Sequence, residues 1–420
     1  MTIFRFLLNE KGRVNPDSIR YMRFAHVFPV IDNTTTPLGY PVAIKFFTFF
    51  GFDEFWSSKA IGILAFSFII LFTWQKKFFF RESVILCSLF SFLSIFSYTM
   101  SETLILPFVF LFLYISTLII ERKLEKTKAV FYLSLTLIAL YNIRYSSLFI
   151  IGGTGLFGLV FYKRKYALPF IISGIAGGVF VILYKFLFID YFNENYINEA
   201  LEIGLHPTSQ LLTELFQGLC TSFNPFIHIS DPAGGKVNYA IYGIGFINIF
   251  AIIYTFIKCR LSETEAFFIF IGTTGIICSY FIQYFYSVNP IDYRLLAPFS
   301  LPVWLVYFRK LFQIFKFKTY GIGFLSIVSG MLFTWLSKGN YLENRREMKH
   351  FLQSEKLDKI PLRYYLETTE DLDKIQVAEL ISTINANISL TFKPEDTLRR
   401  TTLTRYKVLQ KIKIDRNKYQ

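Results

Sequence analysis

The side chains able to do chemistry here are a few carboxylates and guanidinium groups in short polar stretches between long apolar ones. Asp17 lies in Asn15-Pro16-Asp17-Ser18-Ile19-Arg20-Tyr21, ahead of an amphipathic segment. A carboxylate placed there can act as general base toward a sugar or protein hydroxyl. The same position suits a helix cap, with Asp17 or Ser18 accepting a bond from the first free amides, and the two roles are compatible. Ser101 and Glu102 open a later helix, where Ser caps and an acid in the first turn suits the helix dipole. Arg144 and Arg294 flank apolar runs; each reads as an interface anchor or as a phosphate ligand, because the guanidinium fork matches phosphate geometry. Asp190 and Asp292 complete the set. His206 and His228 read as surface residues of a polar loop, without metal-ligand spacing. The Gly234-Gly235 pair lacks the context of a phosphate loop and reads as a turn. Cys87, Cys220, Cys259 and Cys278 form no CxxC pair, which argues against a disulfide framework or zinc site and for packing roles. Neither a metal nor another cofactor is expected.

What must position these residues is a bundle of membrane helices. The chain has 420 residues, 53% of them hydrophobic, with 51 Phe and 26 Tyr, and a mean hydropathy of +0.42. A bilayer core takes roughly 20 apolar residues per helix, and helices satisfy their own backbone there. Apolar runs predict an all-α polytopic protein with about ten crossings, near residues 55–74, 82–99, 103–120, 129–143, 146–162, 167–189, 239–257, 265–284, 294–308 and 319–337. Four glycines, Gly152, Gly153, Gly155 and Gly158, share one span and predict close helix packing.

The net charge of +14 follows this plan. Lys76/Lys77/Arg81, Arg122/Lys123/Lys126/Lys128, Lys163/Arg164/Lys165, Lys258/Arg260 and Arg309/Lys310/Lys316/Lys318 occupy alternate loops. That is the positive-inside pattern, which assigns them to the cytoplasm and makes nucleic-acid binding a poor account of the charge. The remaining loops fall outside: residues 1–54, with interfacial amphipathic helices and Asp17; the loop 190–238 within the bundle 55–337; and a small extracytoplasmic accessory domain, 338–420. An outer Met1 calls for an eleventh helix upstream, since Thr2–Leu8 is too short to span or to serve as a signal peptide. Without it the chain would be an inactive fragment.

Several stretches, taken together and in order, resemble the C-type multi-spanning glycosyltransferases that use lipid-phosphate sugars, especially bacterial relatives of protein mannosyltransferases and the aminoarabinose transferase. They are Asp17-Ser18-Ile19-Arg20-Tyr21 with Ala25, Thr36-Pro37-Leu38-Gly39-Tyr40-Pro41, Ser101-Glu102-Thr103-Leu104, Arg144-Tyr145-Ser146 and Asp292-Tyr293-Arg294-Leu295-Leu296-Ala297-Pro298. The family pattern carries a full span ahead of its acidic loop and often two adjacent acids, where this chain has Asp17 followed by Ser18. The resemblance implies a metal-independent inverting transfer in a bacterial inner membrane, on the extracytoplasmic face. Asp17 would be the base, Arg294 first and Arg144 second would stabilise the departing polyprenyl phosphate, and Glu102, Asp292 and His206 are secondary candidates. Partners would be membrane lipids, the polyprenyl-phosphate sugar, and a glycan, lipid or protein acceptor. Alternative classes are a polysaccharide polymerase or ligase working through His206, a lipid-linked sugar flippase or transporter, and a scaffold. Span interiors poor in ionisable residues and the lack of an internal repeat weigh against ion-coupled transport.

Overall fold

In the computed structural model of the chain, residues 2–8, 12–31, 34–193, 208–228, 236–286, 291–336, 338–339, 341–368, 372–398 and 401–403 are described. Three short helices lead: α1 (Thr2–Leu8), α2 (Pro16–Val27) and α3 (Gly39–Thr48). Next come α4 (Glu54–Lys76), α5 (Phe80–Ser88), α6 (Phe90–Ile95), α7 (Ser101–Ile120), α8 (Lys126–Ile143), α9 (Leu148–Val160) and α10 (Ala167–Tyr184). After them are α11 (Thr208–Ser222), α12 (Lys236–Lys258), α13 (Glu263–Phe285), α14 (Tyr293–Phe315) and α15 (Tyr320–Leu336). The tail holds α16 (Tyr341–Ser354), β1 (Leu362–Tyr365), α17 (Leu372–Ser382) and β2 (Ile388–Thr391).

Among the described residues, six helical stretches are long and apolar enough to cross a membrane: Glu54–Lys76, Ser101–Ile120, Ala167–Phe192, Asn238–Lys258, Glu263–Phe285 and Tyr293–Leu336. The protein is therefore a helical polytopic membrane protein. The last stretch runs 44 residues because α14 and α15 are joined end to end by the 3-10 turn Lys316–Thr319. Shorter helices occupy the other expected crossings. The run at 82–99 breaks at Leu89, whose backbone is extended at φ −63°, ψ 134°. Helix α9 has 13 residues, about 20 Å at 1.5 Å per residue and short of a bilayer core. The exposed surface explains the composition: α4 alone turns Ile63, Leu64, Phe68, Leu71 and Trp74 outward, where water would penalise them and lipid does not.

Small residues let these helices approach. A Cβ on Gly158 would lie 2.7 Å from the Ile171 side chain, and one on Gly174 2.7 Å from the Gly155 backbone, so α9 and α10 pack nearly backbone to backbone. Gly152 meets nothing within 4 Å and plays no part in that contact. A very tight seat is Gly62 of α4, where a Cβ would stand 2.0 Å from the Phe96 carbonyl oxygen. Gly62→Ala is expected to cost about 1–3 kcal/mol through overpacking. The check is the thermal unfolding midpoint in detergent; an unmoved midpoint contradicts the packing described.

The tail departs from the all-helical expectation. Strands β1 and β2 pair in parallel, Leu362 opposite Ile388 and Tyr365 opposite Thr391, with α17 between them in sequence. Buried Leu362 and Tyr364 alternate with half-buried Arg363 and Tyr365, the period of a one-sided strand. Nor does the tail form its core alone. Val14, Ile19, Met22 and Phe55 pack into one cluster with Tyr341, Met348, Leu352, Ile381 and Ile388. Arg23 donates to the Asn387 side chain at 3.1 Å. Too small to bury much by itself, the tail is completed by α2, the helix that carries Asp17.

Candidate functional site at the end of the bundle bearing the tail

Helix α2 begins with a capping box: Asn15 Oδ1 accepts from the Ser18 amide at 3.0 Å, and Ser18 Oγ accepts from the Asn15 amide at 3.0 Å. The cap is therefore Asn15, not Asp17 or Ser18; Pro16 takes the first helical position, where its missing N–H costs nothing. Asp17 is left with a half-exposed carboxylate 3.5 Å from Arg20 Nη1, itself exposed. One turn on, Tyr21 shares its side of the helix but is buried, and its hydroxyl donates to Ser101 Oγ at 2.9 Å. Burial first, and Glu102 behind it, push the Tyr21 phenol up, so it remains a donor.

Ser101 does not cap α7; the N-cap is Met100, with no side-chain bond. Its hydroxyl is spent on Tyr21 and on Glu102 Oε2, to which it donates at 3.3 Å. Glu102 is 1% exposed and pairs with Arg144 Nη1 at 2.8 Å. Arg144 closes α8 with an extended backbone, φ −156°, which swings its side chain back over the bundle, and its Nε donates to Ser146 Oγ at 2.9 Å. Arg144 is thus a half-buried partner of a buried carboxylate. Burial works against its charge, but Glu102 overrides this and holds the guanidinium pKa raised.

A second pair adjoins the first. Asp292 caps α14 by accepting from the Arg294 and Leu295 amides, both at 3.0 Å, while its other oxygen accepts from Arg294 Nε at 2.8 Å. The guanidinium of Arg294 stands 5.3 Å from the centre of the Tyr98 ring, and its charge acts on both Glu102 and Arg144. Glu102, Arg144, Asp292 and Arg294, separated by up to 192 positions, thus form one electrostatic group. Among the described residues, Arg144 Nη2 and both terminal nitrogens of Arg294 make no hydrogen bond. Glu102 Oε1 is buried and likewise unsatisfied. A group with three idle guanidinium nitrogens offers donors to an anionic oxygen, while the enclosed Glu102 carboxylate holds the two cations in place.

Two buried cations extend this polar floor and escaped the sequence reading. Lys59 of α4 donates to the Ser97 carbonyl at 2.7 Å and to Thr99 Oγ1 at 3.0 Å. Arg13 lies 3.8 Å over the Tyr98 ring, and its carbonyl accepts from the Thr99 amide at 3.1 Å. Both hold the 97–101 turn beneath Glu102. A single Lys in Ser57-Ser58-Lys59, at the polar start of an apolar run, was the available signal.

Other expected residues fall elsewhere. Asp190 pairs with Lys185 at 2.5 Å, apart from the group. His228 is not a surface residue: it is fully buried, with ring centres 3.8 Å from Tyr293 and 4.9 Å from Phe90. Stacking buries the imidazole beside the start of α14. His206 and Gly234-Gly235 lie outside the described residues. Among the described residues, no group of three or more His, Cys, Asp or Glu side chains could hold a metal. Removing the Tyr21 hydroxyl tests how the rim is tied to the floor. Tyr21→Phe is expected to lose about 0.5–1.5 kcal/mol, read as a lowered unfolding midpoint; an unchanged midpoint would show the bond to Ser101 to be idle.

No family model, curated protein or solved structure matches the chain, so the site is read from its own geometry.

Proposed function

We propose that the protein is a glycosyltransferase of the C type, moving a sugar from a polyprenyl-phosphate donor to a cell-envelope acceptor on the outer face of a bacterial inner membrane. The carrying observation is the gathering of Arg144 and Arg294, each with idle guanidinium nitrogens, around Glu102 at the end of the bundle where α2 presents Asp17. An acceptor hydroxyl gives its proton to the Asp17 carboxylate as its oxygen attacks the anomeric carbon from the side opposite the phosphate. The bond from that carbon to the phosphate oxygen breaks, with inversion. Negative charge grows on the departing polyprenyl phosphate, where Arg294, backed by Arg144, stabilises it.

Two further supports are the ordered motifs and the segregation of charge. The basic turns at Lys76/Lys77/Arg81, Lys123 and Arg309 meet at the end of the bundle away from the tail, which the positive-inside rule makes cytoplasmic. In this reading α5 with α6, α8, α9 and α15 supply the remaining crossings, for about ten in all. A lipid donor requires the bilayer, and the sugar requires the aqueous rim.

Binding of the leaving product tests the assignment. Purified protein should bind polyprenyl monophosphate, with Arg294→Gln weakening it by about tenfold or more for a lost charge-assisted contact. Equal binding by the variant contradicts the role of Arg294. A preference for polyprenyl diphosphate would move the protein to the polymerase or ligase class.

A further inference from the structure

The opposite end of the bundle holds a cavity of about 1130 Å³ between the α4–α5 turn, the ends of α7 and α14, and the start of α13. Five cations line it, Lys76, Lys77, Arg81, Lys123 and Arg309, against the carboxylates of Glu82, Glu121 and Glu263. The acids are partly spent: Glu121 pairs with Lys123 at 2.6 Å, and Glu263 with Arg164, from outside the cavity, at 3.1 Å. Arg309 leans on Glu265 at 3.5 Å. Among the described residues, no carboxylate lies within 4.0 Å of Lys76, Lys77 or Arg81. The turn that presents them is sharply folded, with Lys77 and Phe79 both in left-handed backbone at φ 50° and 48°. It sets the cations beside an aromatic wall, Phe78 against Tyr114 and Phe79 against Phe268.

We infer that this cavity is a binding site for the phosphate headgroup of an anionic phospholipid of the inner leaflet. Three features select a lipid. The excess of cations, five against the three lining carboxylates of which Glu82 feels Arg81 and Arg309, sits at the membrane boundary, where anionic headgroups are concentrated and each Lys or Arg gains from them. The cavity adjoins the lipid-facing side of α4, where Leu71 is 61% and Trp74 64% exposed, so acyl chains have an apolar bed directly beside the headgroup. Trp74 itself lines the cavity, in the place where indole rings settle between headgroup and tail. The headgroup would take Lys76 and Arg81 as its chief partners, Arg81 through its fork. Helices α4, α7 and α14 end here and α13 begins, so an occupied site ties together α4, α7 and α14, which carry Lys59, Glu102 and Arg294 toward the other end. The inference stands independently of the proposed glycosyl transfer.

The test uses the full-length protein in neutral detergent, titrated with phosphatidylglycerol, phosphatidylcholine or inorganic phosphate while its unfolding midpoint is followed. Phosphatidylglycerol should raise the midpoint by binding the folded state, and the other two should not. Lys76→Gln/Arg81→Gln should weaken the phosphatidylglycerol affinity about thirtyfold for the two charges removed, with Lys76→Arg/Arg81→Lys restoring it. Both residues are exposed, so the lipid-free midpoint should stay in place. Lys163→Gln/Lys165→Gln, in a different basic loop, should keep the response. Equal responses to phosphatidylglycerol and phosphatidylcholine, or a response retained by Lys76→Gln/Arg81→Gln, would overturn the inference. A response to inorganic phosphate alone would replace the lipid with a free ion.

Discussion

Asp17→Asn is expected to lower sugar transfer by about 10²- to 10⁴-fold, the range for loss of a general base, without reducing the amount of folded protein in the membrane. The separation of the two effects comes from where Asp17 stands. Its carboxylate is half exposed, its ionic neighbour Arg20 is equally exposed at 3.5 Å, and Asn15 rather than Asp17 caps the helix. The amide is nearly isosteric and gives up only this exposed ion pair, worth little to stability, but it cannot take a proton from an attacking hydroxyl. Initial transfer rates and unfolding midpoints measured on the same preparations check both halves. Unchanged transfer would remove Asp17 from the reaction, and a fallen midpoint would show that it serves the fold instead.

Arg144→Ala should act in the opposite manner, through stability first. Glu102 is 1% exposed and pairs with Arg144 at 2.8 Å; without the guanidinium, a buried carboxylate keeps only the Ser101 hydroxyl at 3.3 Å and the field of Arg294. Breaking a buried pair from one side costs about 3–5 kcal/mol, most of it the burden of the stranded charge. The double substitution Glu102→Gln/Arg144→Ala should therefore recover most of the loss. That recovery is the diagnostic readout: two additive losses would mean that the residues stabilise the bundle separately. Transfer should remain impaired in the double variant, because one of the two guanidinium groups around the leaving phosphate is gone.

The long helices were legible because an uninterrupted run of about 20 apolar residues has one outcome in a membrane. Within such a run the sequence is mute about breaks: Leu89 interrupts α5 and α6 between Ser88 and Phe90, and Ser83, Ser91 and Ser94 recur without marking a break. The tail's short strands were illegible for a related reason, since four residues show too few alternations to reveal a period of two. Its dependence on α2 is a long-range contact with no local mark. At the site, Glu102, Arg144, Asp292 and Arg294 stood out as charges beside apolar runs, but which pairs with which is decided by helix packing across the bundle. Asn15 was passed over as the cap because Asp17 and Ser18 are equally competent caps within three residues, and only the backbone reveals which side chain reaches the free amide. His228 looked like a loop residue and lies in a loop, yet stacking on Tyr293 and Phe90 buries it. Lys59 and Arg13 were missed because the contacts that tie them to the 97–101 turn run through backbone carbonyls, the Thr99 hydroxyl and the Tyr98 ring, which leave no charge pattern in the sequence.

The most direct measurement is turnover: purified full-length protein, reconstituted in liposomes, incubated with a panel of polyprenyl-phosphate sugars and envelope-derived acceptors while released polyprenyl phosphate is quantified. The account predicts release that requires an acceptor, is lost in Asp17→Asn, and yields a product of inverted anomeric configuration. Flipping of the lipid-linked sugar across the liposome membrane with no polyprenyl phosphate released, or release unaffected by Asp17→Asn, would contradict it.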